Sequence, residues 1–401
     1  IRRYNPGFTL GDAYVSANVT IGDLYAHRSG LPDHAGDAME ELGFGRDAIL
    51  ARLEQLPLTA FRASYAYTNY GMSAAGFAVA ANTGKDWATL SEERLYTPLG
   101  MTRTSSRFAD FEARDNRALG HVKEADRYVV GPERDFVGEQ HWSGAYDTDI
   151  QAPSGGVSSS ANDLARWMLF VLANGKYPDG ASIPGEAWFP MLTPQAKLYQ
   201  PKAPGEQAAW YGYGFFINTS AGTTTLSHGG AFAWGASTYF SIIPAADTGI
   251  VVLTNAWPTG VAEALSMQFN DIVLTGKPQA DWWQIYSSAM AGAFAPQGRY
   301  AGARPTEGRA AKPLADYAGT YESPYLGVAE VSIVGDGLQL TLGAAGQQSY
   351  PLTHRDADSF SFIPLNDAAP PGSVSAADFT AERLRLEHFD HDGLGLFSRV
   401  P

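Results

Sequence analysis

Apolar residues recur along this chain with two different periods, and the change from one to the other divides it. Leu164, Trp167, Met168, Val171 and Leu172 fall three and four residues apart, which is one stripe of an amphipathic helix. Ser160 to Asp163 caps that helix and Asn174-Gly175 closes it. The same spacing at Ile49, Leu50 and Leu53 predicts a helix from Arg46 until Pro57 stops it, and further helices are expected over 86–95, 261–274 and 281–294. Thr20 to Asp23 reads as a capping box for a short helix ending at Ser29-Gly30. Asn69 is expected to cap a helix over 70–82, whose Met72, Gly76 and Phe77 leave a small-residue face for close packing.

Strand signals lie between these helices. Trp210 to Ile217 has strand composition, and Thr223 to Ser227 runs as a β-rich strand into His228-Gly229-Gly230-Ala231, followed by strands over 236–243 and 249–255. Helices returning on an antiparallel sheet give an α+β pattern for residues 1–298. Residues 102–150 show little periodicity and predict long loops forming a rim, where His121, His141 and Trp142 are candidates to touch a ligand. After Phe294 the chain turns rich in Ala, Arg, Gly and Pro, which marks 299–312 as a linker. Over 313–401 short β-rich runs alternate with turn residues at 319–322, 328–334, 338–342, 349–352, 359–363, 384–389 and 396–400, the pattern of a small all-β barrel. His388-Phe389-Asp390-His391-Asp392 in this part reads as a solvated hairpin rather than a metal site.

With 401 residues, 45% of them hydrophobic, the chain can bury two cores. Its formal net charge of −14 argues against nucleic acid or an anionic membrane as partner. No apolar run reaches the length of roughly 18 residues that would span a bilayer. The absence of cysteine removes thiol chemistry and disulfides but does not choose a compartment. No metal or cofactor motif stands out.

The chemistry concentrates in Tyr65-Ala66-Tyr67-Thr68-Asn69-Tyr70-Gly71. Two-residue spacing on extended backbone turns Tyr67 and Asn69 to one side, and a side chain ahead of a helix lies near unpaired N–H groups and the positive end of the dipole. His228 lies far downstream on a strand, where the following glycines are expected to let a ligand approach the backbone. Between them, Pro153-Ser154-Gly155-Gly156 reads as a glycine loop opening the Ser160-capped helix. His27 is expected to be structural rather than a base.

Taken with Ile21-Gly22-Asp23-Leu24-Tyr25-Ala26-His27-Arg28-Ser29-Gly30-Leu31-Pro32 and Pro98-Leu99-Gly100-Met101, this ordered set resembles the serine β-lactamase-related hydrolases, among them class C β-lactamases, DD-peptidases, D-aminopeptidases and esterases. The resemblance runs over most of residues 1 to about 300, and Leu314 to Tyr321 resembles the start of the lipocalin-like tail of some relatives. It implies a β-lactamase/transpeptidase-like fold and hydrolysis through an acyl-enzyme, without a cofactor. Tyr67 would then share general-base work with a lysine, and Asn69 would hold that lysine and meet the substrate amide. The backbone N–H of Ala231, after Gly229 and Gly230, would give one oxyanion donor. Ser154, Gly155 and Tyr213 would line the cleft. A phenol must be held toward its anion by cations to act as a base at neutral pH, and His228 is one expected source.

The resemblance has one departure. The family's nucleophile is the serine of Ser-x-x-Lys, and none of the seven lysines (85, 123, 176, 197, 202, 277, 312) has Ser three residues before it. Neither a Gly-x-Ser-x-Gly elbow nor a His-Glu-x-x-His helix replaces it. Arg2 to Leu10 resembles a stretch that follows the nucleophile in relatives. The serine is therefore expected upstream of Ile1 or on a separate fragment, the other reading being a non-catalytic ligand-binding relative. The resemblance further implies peptidase or amidase action on a small or peptide-like substrate, with esterase and β-lactamase as alternatives, and a periplasmic or secreted location.

Overall fold

The structure is a computed structural model that describes all residues except 125–126, 131–147, 221, 303–307, 347 and 365–368. His141 and Trp142 lie outside the described residues. The chain forms two compact units, the first comprising residues 1–35, 58–122 and 148–291. Two short strands, β1 (His121–Glu124) and β2 (Arg127–Val130), pair with each other.

The first unit is built on a six-stranded antiparallel meander: β3 (Ala196–Tyr199), β4 (Ala209–Tyr211), β5 (Phe216–Ser220), β6 (Thr223–Phe232), β7 (Ala236–Ile243) and β8 (Thr248–Thr254). The expected single strand over 210–217 is two strands. Gly214 takes φ +85°, a region open chiefly to glycine, and the Gly212 N–H donates to Phe215 O at 2.8 Å, closing a turn that sets Tyr211 opposite Phe216.

Helix Ala161–Leu172 packs its apolar stripe on this sheet, Met168 and Val171 joining Phe215, Ile217, Leu226 and Ile242 in one core, with Leu164 and Trp167 against it. Each such side chain contributes about 1.5–3 kcal/mol when fully buried. Its cap is half of the expected box: Ser160 Oγ accepts from Asp163 N–H, whereas Asp163 turns away to accept from the Arg103 N–H and Thr104 Oγ1. Helix Val261–Thr275 packs against β7 and β8, completing a sheet flanked by helices.

The second unit comprises residues 36–57, 123–147 and 292–401. Its strands are β9 (Gly319–Ser323), β10 (Gly327–Val334), β11 (Gly337–Leu342), β12 (Gln348–Asp356), β13 (Ser359–Phe362), β14 (Ser375–Phe379), β15 (Arg383–Leu386) and β16 (Leu396–Arg399). Each pairs antiparallel with the next, and β16 pairs with β9 to close an eight-stranded barrel. Alternate residues such as Leu338, Leu340 and Leu342 are buried, and Tyr321, Tyr350, Phe360, Phe362 and Phe397 are the largest side chains enclosed. Sequence patterning missed β14, whose Ala376, Ala377 and Asp378 are poor strand formers that the barrel's pairing overrides.

The same unit includes helices Asp37–Glu41 and Arg46–Arg52, drawn from the sequence ahead of Tyr67. Leu42 O accepts from the Ala344 N–H at 2.8 Å, and Gln348 Nε2 donates to Glu41 O. His388 is not in a solvated hairpin as expected. It follows β15 in a short 3₁₀ turn, and its Nε2 lies 3.2 Å from Glu41 Oε2 with both side chains 10% exposed.

Candidate active site

Tyr67 lies in the extended run that leads into helix Asn69–Asn82. The cap of that helix is Thr68, not Asn69: Thr68 has extended φ and ψ, and its Oγ1 accepts from the Gly71 N–H at 3.2 Å. Asn69 is therefore the first helical residue, its carboxamide half-buried and unbonded among the described residues. That leaves it available to a ligand.

His27 fixes the backbone on both sides of Tyr67. Its carbonyl accepts from the Ala66 N–H at 2.9 Å and its Nδ1 from the Thr68 N–H at 3.2 Å. The His34 N–H donates to Tyr67 O at 2.7 Å, so three consecutive residues are tied down. His27 is 1% exposed, with its ring 4.5 Å from that of Tyr67 and 4.9 Å from that of Tyr211. Burial, and then the neighbouring His228, push its pKa down to about 3. As Nδ1 accepts, Nε2 carries the proton, and that buried N–H has no hydrogen-bond partner among the described residues. The expectation of a structural His27 agrees with this geometry.

His228 comes to Tyr67 from β6, with ring centroids 6.2 Å apart. Its Nδ1 donates to Gly229 O at 2.7 Å, since a carbonyl can only accept, and Nε2 faces Tyr211 Oη at 2.9 Å. Phe216 stacks on the imidazole at 4.6 Å and 5°. Burial lowers the His228 pKa, partly opposed by the bond to Gly229 O. Burial thus disfavours the positive charge that His228 was expected to lend a Tyr67 phenolate.

Beyond His228 one edge of β6 is open. β5 pairs with β6 only as far as Ser227, whereas β7 pairs with it through Phe232. Residues 228–232, Ala231 among them, thus present a strand edge with no strand partner among the described residues, a form that binds extended ligands. Gly229 has a packing reason to be glycine. A Cβ there would stand 2.8 Å from Tyr239 Cδ2, the ring directly opposite in register, whose hydroxyl donates to Ser227 Oγ at 3.1 Å. Gly230 has more room, a Cβ meeting only Thr238 Oγ1 at 3.3 Å.

The expected glycine loop at Ser154 is instead a helical turn, Ala152–Gly155. Ser154 Oγ lies 2.9 Å from Ser73 Oγ and donates to Gln151 O at 3.0 Å. Ser73 is one turn along the helix from Asn69, so the two residues share a face. A Cβ on Gly76, another turn on, would stand 2.4 Å from Pro153 Cβ, and one on Gly155 3.8 Å from Phe232 Cζ, at the end of β6. Tyr213 crosses Gly22, its Oη 2.6 Å from where a Cβ would be, and packs with Tyr65 and Phe216 around Ala26 and Tyr211. His121 lies against the β6–β7 turn, where a Cβ on Gly120 would meet Trp234 O, and its N–H donates to Asn255 O just after β8.

The structure therefore gathers Tyr67, His228 and, through Ser73, Ser154 with Asn69 around the open half of β6. Sequence reasoning did not single out Tyr211 or Phe216, although Trp210-Tyr211-Gly212-Tyr213 was a visible aromatic run. Their role depends on pairing across the Gly214 turn. No cluster of metal-ligating side chains occurs among the described residues.

Comparison with known proteins gives the family and the fold. The family described as Beta-lactamase matches residues 1–268, and a domain of unknown function, DUF3471, matches 303–392. Penicillin-binding protein 4 of Amycolatopsis lactamdurans is 28% identical over 264 residues, 62% of this chain and 63% of its own length. This chain thus spans less than two thirds of that relative. The D-alanyl-D-alanine-carboxypeptidase/endopeptidase AmpH of Escherichia coli K12 is 24% identical over 285 residues, 68% of each chain. Among solved structures, the octameric penicillin-binding protein homologue from Pyrococcus abyssi has the same fold, with TM-score 0.51 and 19% identity over 96% of this chain and 82% of that one. With its sheet flanked by helices and two thirds of its length matched, the chain belongs to the β-lactamase family of serine hydrolases.

Proposed function

We propose that the protein cleaves amide bonds by acyl transfer to a serine and then to water, as a peptidase or amidase of the DD-peptidase or D-aminopeptidase kind. The observation that supports this most is that Tyr67 and His228, remote in sequence, bring their rings within 6.2 Å beside an open strand edge. A serine hydroxyl is a weak nucleophile until a base takes its proton, and in this reading Tyr67 is that base. With His228 neutral, the charge that makes a phenol basic falls to the lysine of Ser-x-x-Lys, which this chain does not contain. Asn69 would bind that lysine and the substrate amide. The Ala231 N–H, held by Gly229 and Gly230, would take half of the oxyanion, and one such donor contributes about 3–4 kcal/mol. Ser154, Gly155 and Tyr213 would line the cleft. Ester substrates come second in this reading and β-lactams third.

Neither member of a Ser-x-x-Lys pair occurs among these 401 residues, and the protein is proposed to work in the periplasm or outside the cell. Among the described residues no helix is long and apolar enough to cross a membrane. The test is labelling with a fluorophosphonate followed by peptide mass mapping, on this chain alone and with a relative's Ser-x-x-Lys segment joined ahead of it. The expected adduct is on the serine of the joined Ser-x-x-Lys only. An adduct on a serine of this chain would move the nucleophile, and no adduct in either form would leave a non-catalytic binding protein.

A further inference from the structure

A histidine recognises a carboxylate best as an imidazolium, by donating from a ring nitrogen. Both nitrogens of His228 are already committed within the first unit. Nδ1 donates to Gly229 O at 2.7 Å, and Nε2 of the neutral ring accepts from Tyr211 Oη at 2.9 Å. Tyr211 is 0% exposed and is wedged edge-on against Phe216 at 5.3 Å and tilted against Tyr65 at 5.4 Å. Burial raises its pKa well above the ordinary phenol value, so it remains an O–H donor. Phe216 covers a face of the imidazole. Of the arginines nearby in sequence, Arg28 Nε and Arg62 Nη2 are held by Asp23 at 2.9 and 2.8 Å. His27, the other imidazole beside Tyr67, is neutral as well.

We propose that Tyr211 is a specificity-determining residue: by occupying Nε2 of His228, the nitrogen that would have to donate to a carboxylate, it directs the cleft to substrates uncharged beside the scissile bond, such as carboxamides, esters and blocked peptide ends, rather than to those with a free carboxylate there. A carboxylate brought to this site would be desolvated without an imidazolium to meet it. A carboxamide loses less on leaving water and can pair with the strand edge and with Asn69. Phenylalanine at position 211 would keep the ring packing and release Nε2, so the hydroxyl alone is at issue. This inference rests on the reading of the site as an acyl-transfer cleft.

The experiment is calorimetric titration of the chain at neutral pH with N-acetyl-D-alanyl-D-alanine and with its C-terminal carboxamide, in wild type and Tyr211→Phe. The wild type is expected to prefer the carboxamide by about tenfold, the size of one charged hydrogen bond, and Tyr211→Phe to narrow that ratio. Should Tyr211→Phe fail to fold, nitrogen-15 spectra of the wild-type histidines give a second reading, in which His228 must be the neutral Nδ1–H form. Equal or tighter binding of the acid by wild type, an unchanged ratio in a folded Tyr211→Phe, or a charged His228 would each overturn the inference and leave the acyl-transfer reading standing. Binding of neither ligand would count against that reading itself, and the inference with it.

Discussion

Two histidines face Tyr67, at 4.5 Å for His27 and 6.2 Å for His228, and burial keeps both from charging. For His27 this has a consequence for stability. Its folded pKa of about 3 lies below its ordinary 6.5, so the unfolded chain binds the proton more readily and acid favours unfolding. Its contribution is complete above pH 6.5 and is lost as pH falls from there toward 3. Thermal melts over that window should show a steeper loss of Tm in wild type than in His27→Asn, whose side-chain oxygen can still accept from the Thr68 N–H. His27→Leu, which leaves that buried donor unpaired, should cost about 1–3 kcal/mol at neutral pH, and Asn should recover part of it. Equal slopes in wild type and His27→Asn would remove His27 from the acid response.

At the scale of elements, the site depends on three close approaches made by glycine. Gly22 admits Tyr213, Gly76 admits Pro153, and Gly229 admits the Tyr239 ring. Alanine at 229 must push that ring or the strand aside, at about 1–3 kcal/mol, and should slow acylation in a protein that carries the nucleophile. Gly230→Ala, with 3.3 Å to a side-chain oxygen, should be milder in both respects. Melting curves and labelling rates of the two variants test the order, and a Gly230→Ala effect as large as that of Gly229→Ala would refute it. The sequence pointed to close packing at Gly76, as its approach to Pro153 shows, but not to Tyr239 at Gly229, because that partner lies across a strand pair. Helix stripes such as Leu164 to Leu172 were legible for the opposite reason, since their period is written locally. The Thr68 cap and the split at Gly214 were missed because Asn69 is an equally good cap residue and Tyr213-Gly214-Phe215 an equally good strand by composition.

For the whole molecule, the order of motifs was enough to give the family and an α+β sheet followed by a barrel. Order along the chain could not reveal that residues 36–57 fold with the barrel, because their helical spacing says only that a face is buried, not where. There Glu41 meets His388 at 3.2 Å, and Gln348 bonds Glu41 O. Removing His388 deletes a hydrogen bond to a nearly buried carboxyl group, a loss of about 1–3 kcal/mol. His388→Ala should therefore lower the barrel unit's melting temperature clearly more than His391→Ala, the exposed histidine three residues on. Equal melting temperatures in the two variants would show that the pair holds nothing.

The central claim is that the Tyr67 phenol takes the proton of the attacking serine. It is tested most directly by the rate of fluorophosphonate adduct formation, followed by intact mass, in a form of the protein that carries a Ser-x-x-Lys segment, with Tyr67 intact and with Tyr67→Phe. The account predicts a fall of about 100-fold to 10,000-fold, the usual share of a general base, with the melting temperature nearly unchanged. An adduct that forms equally fast in the folded phenylalanine variant would contradict it.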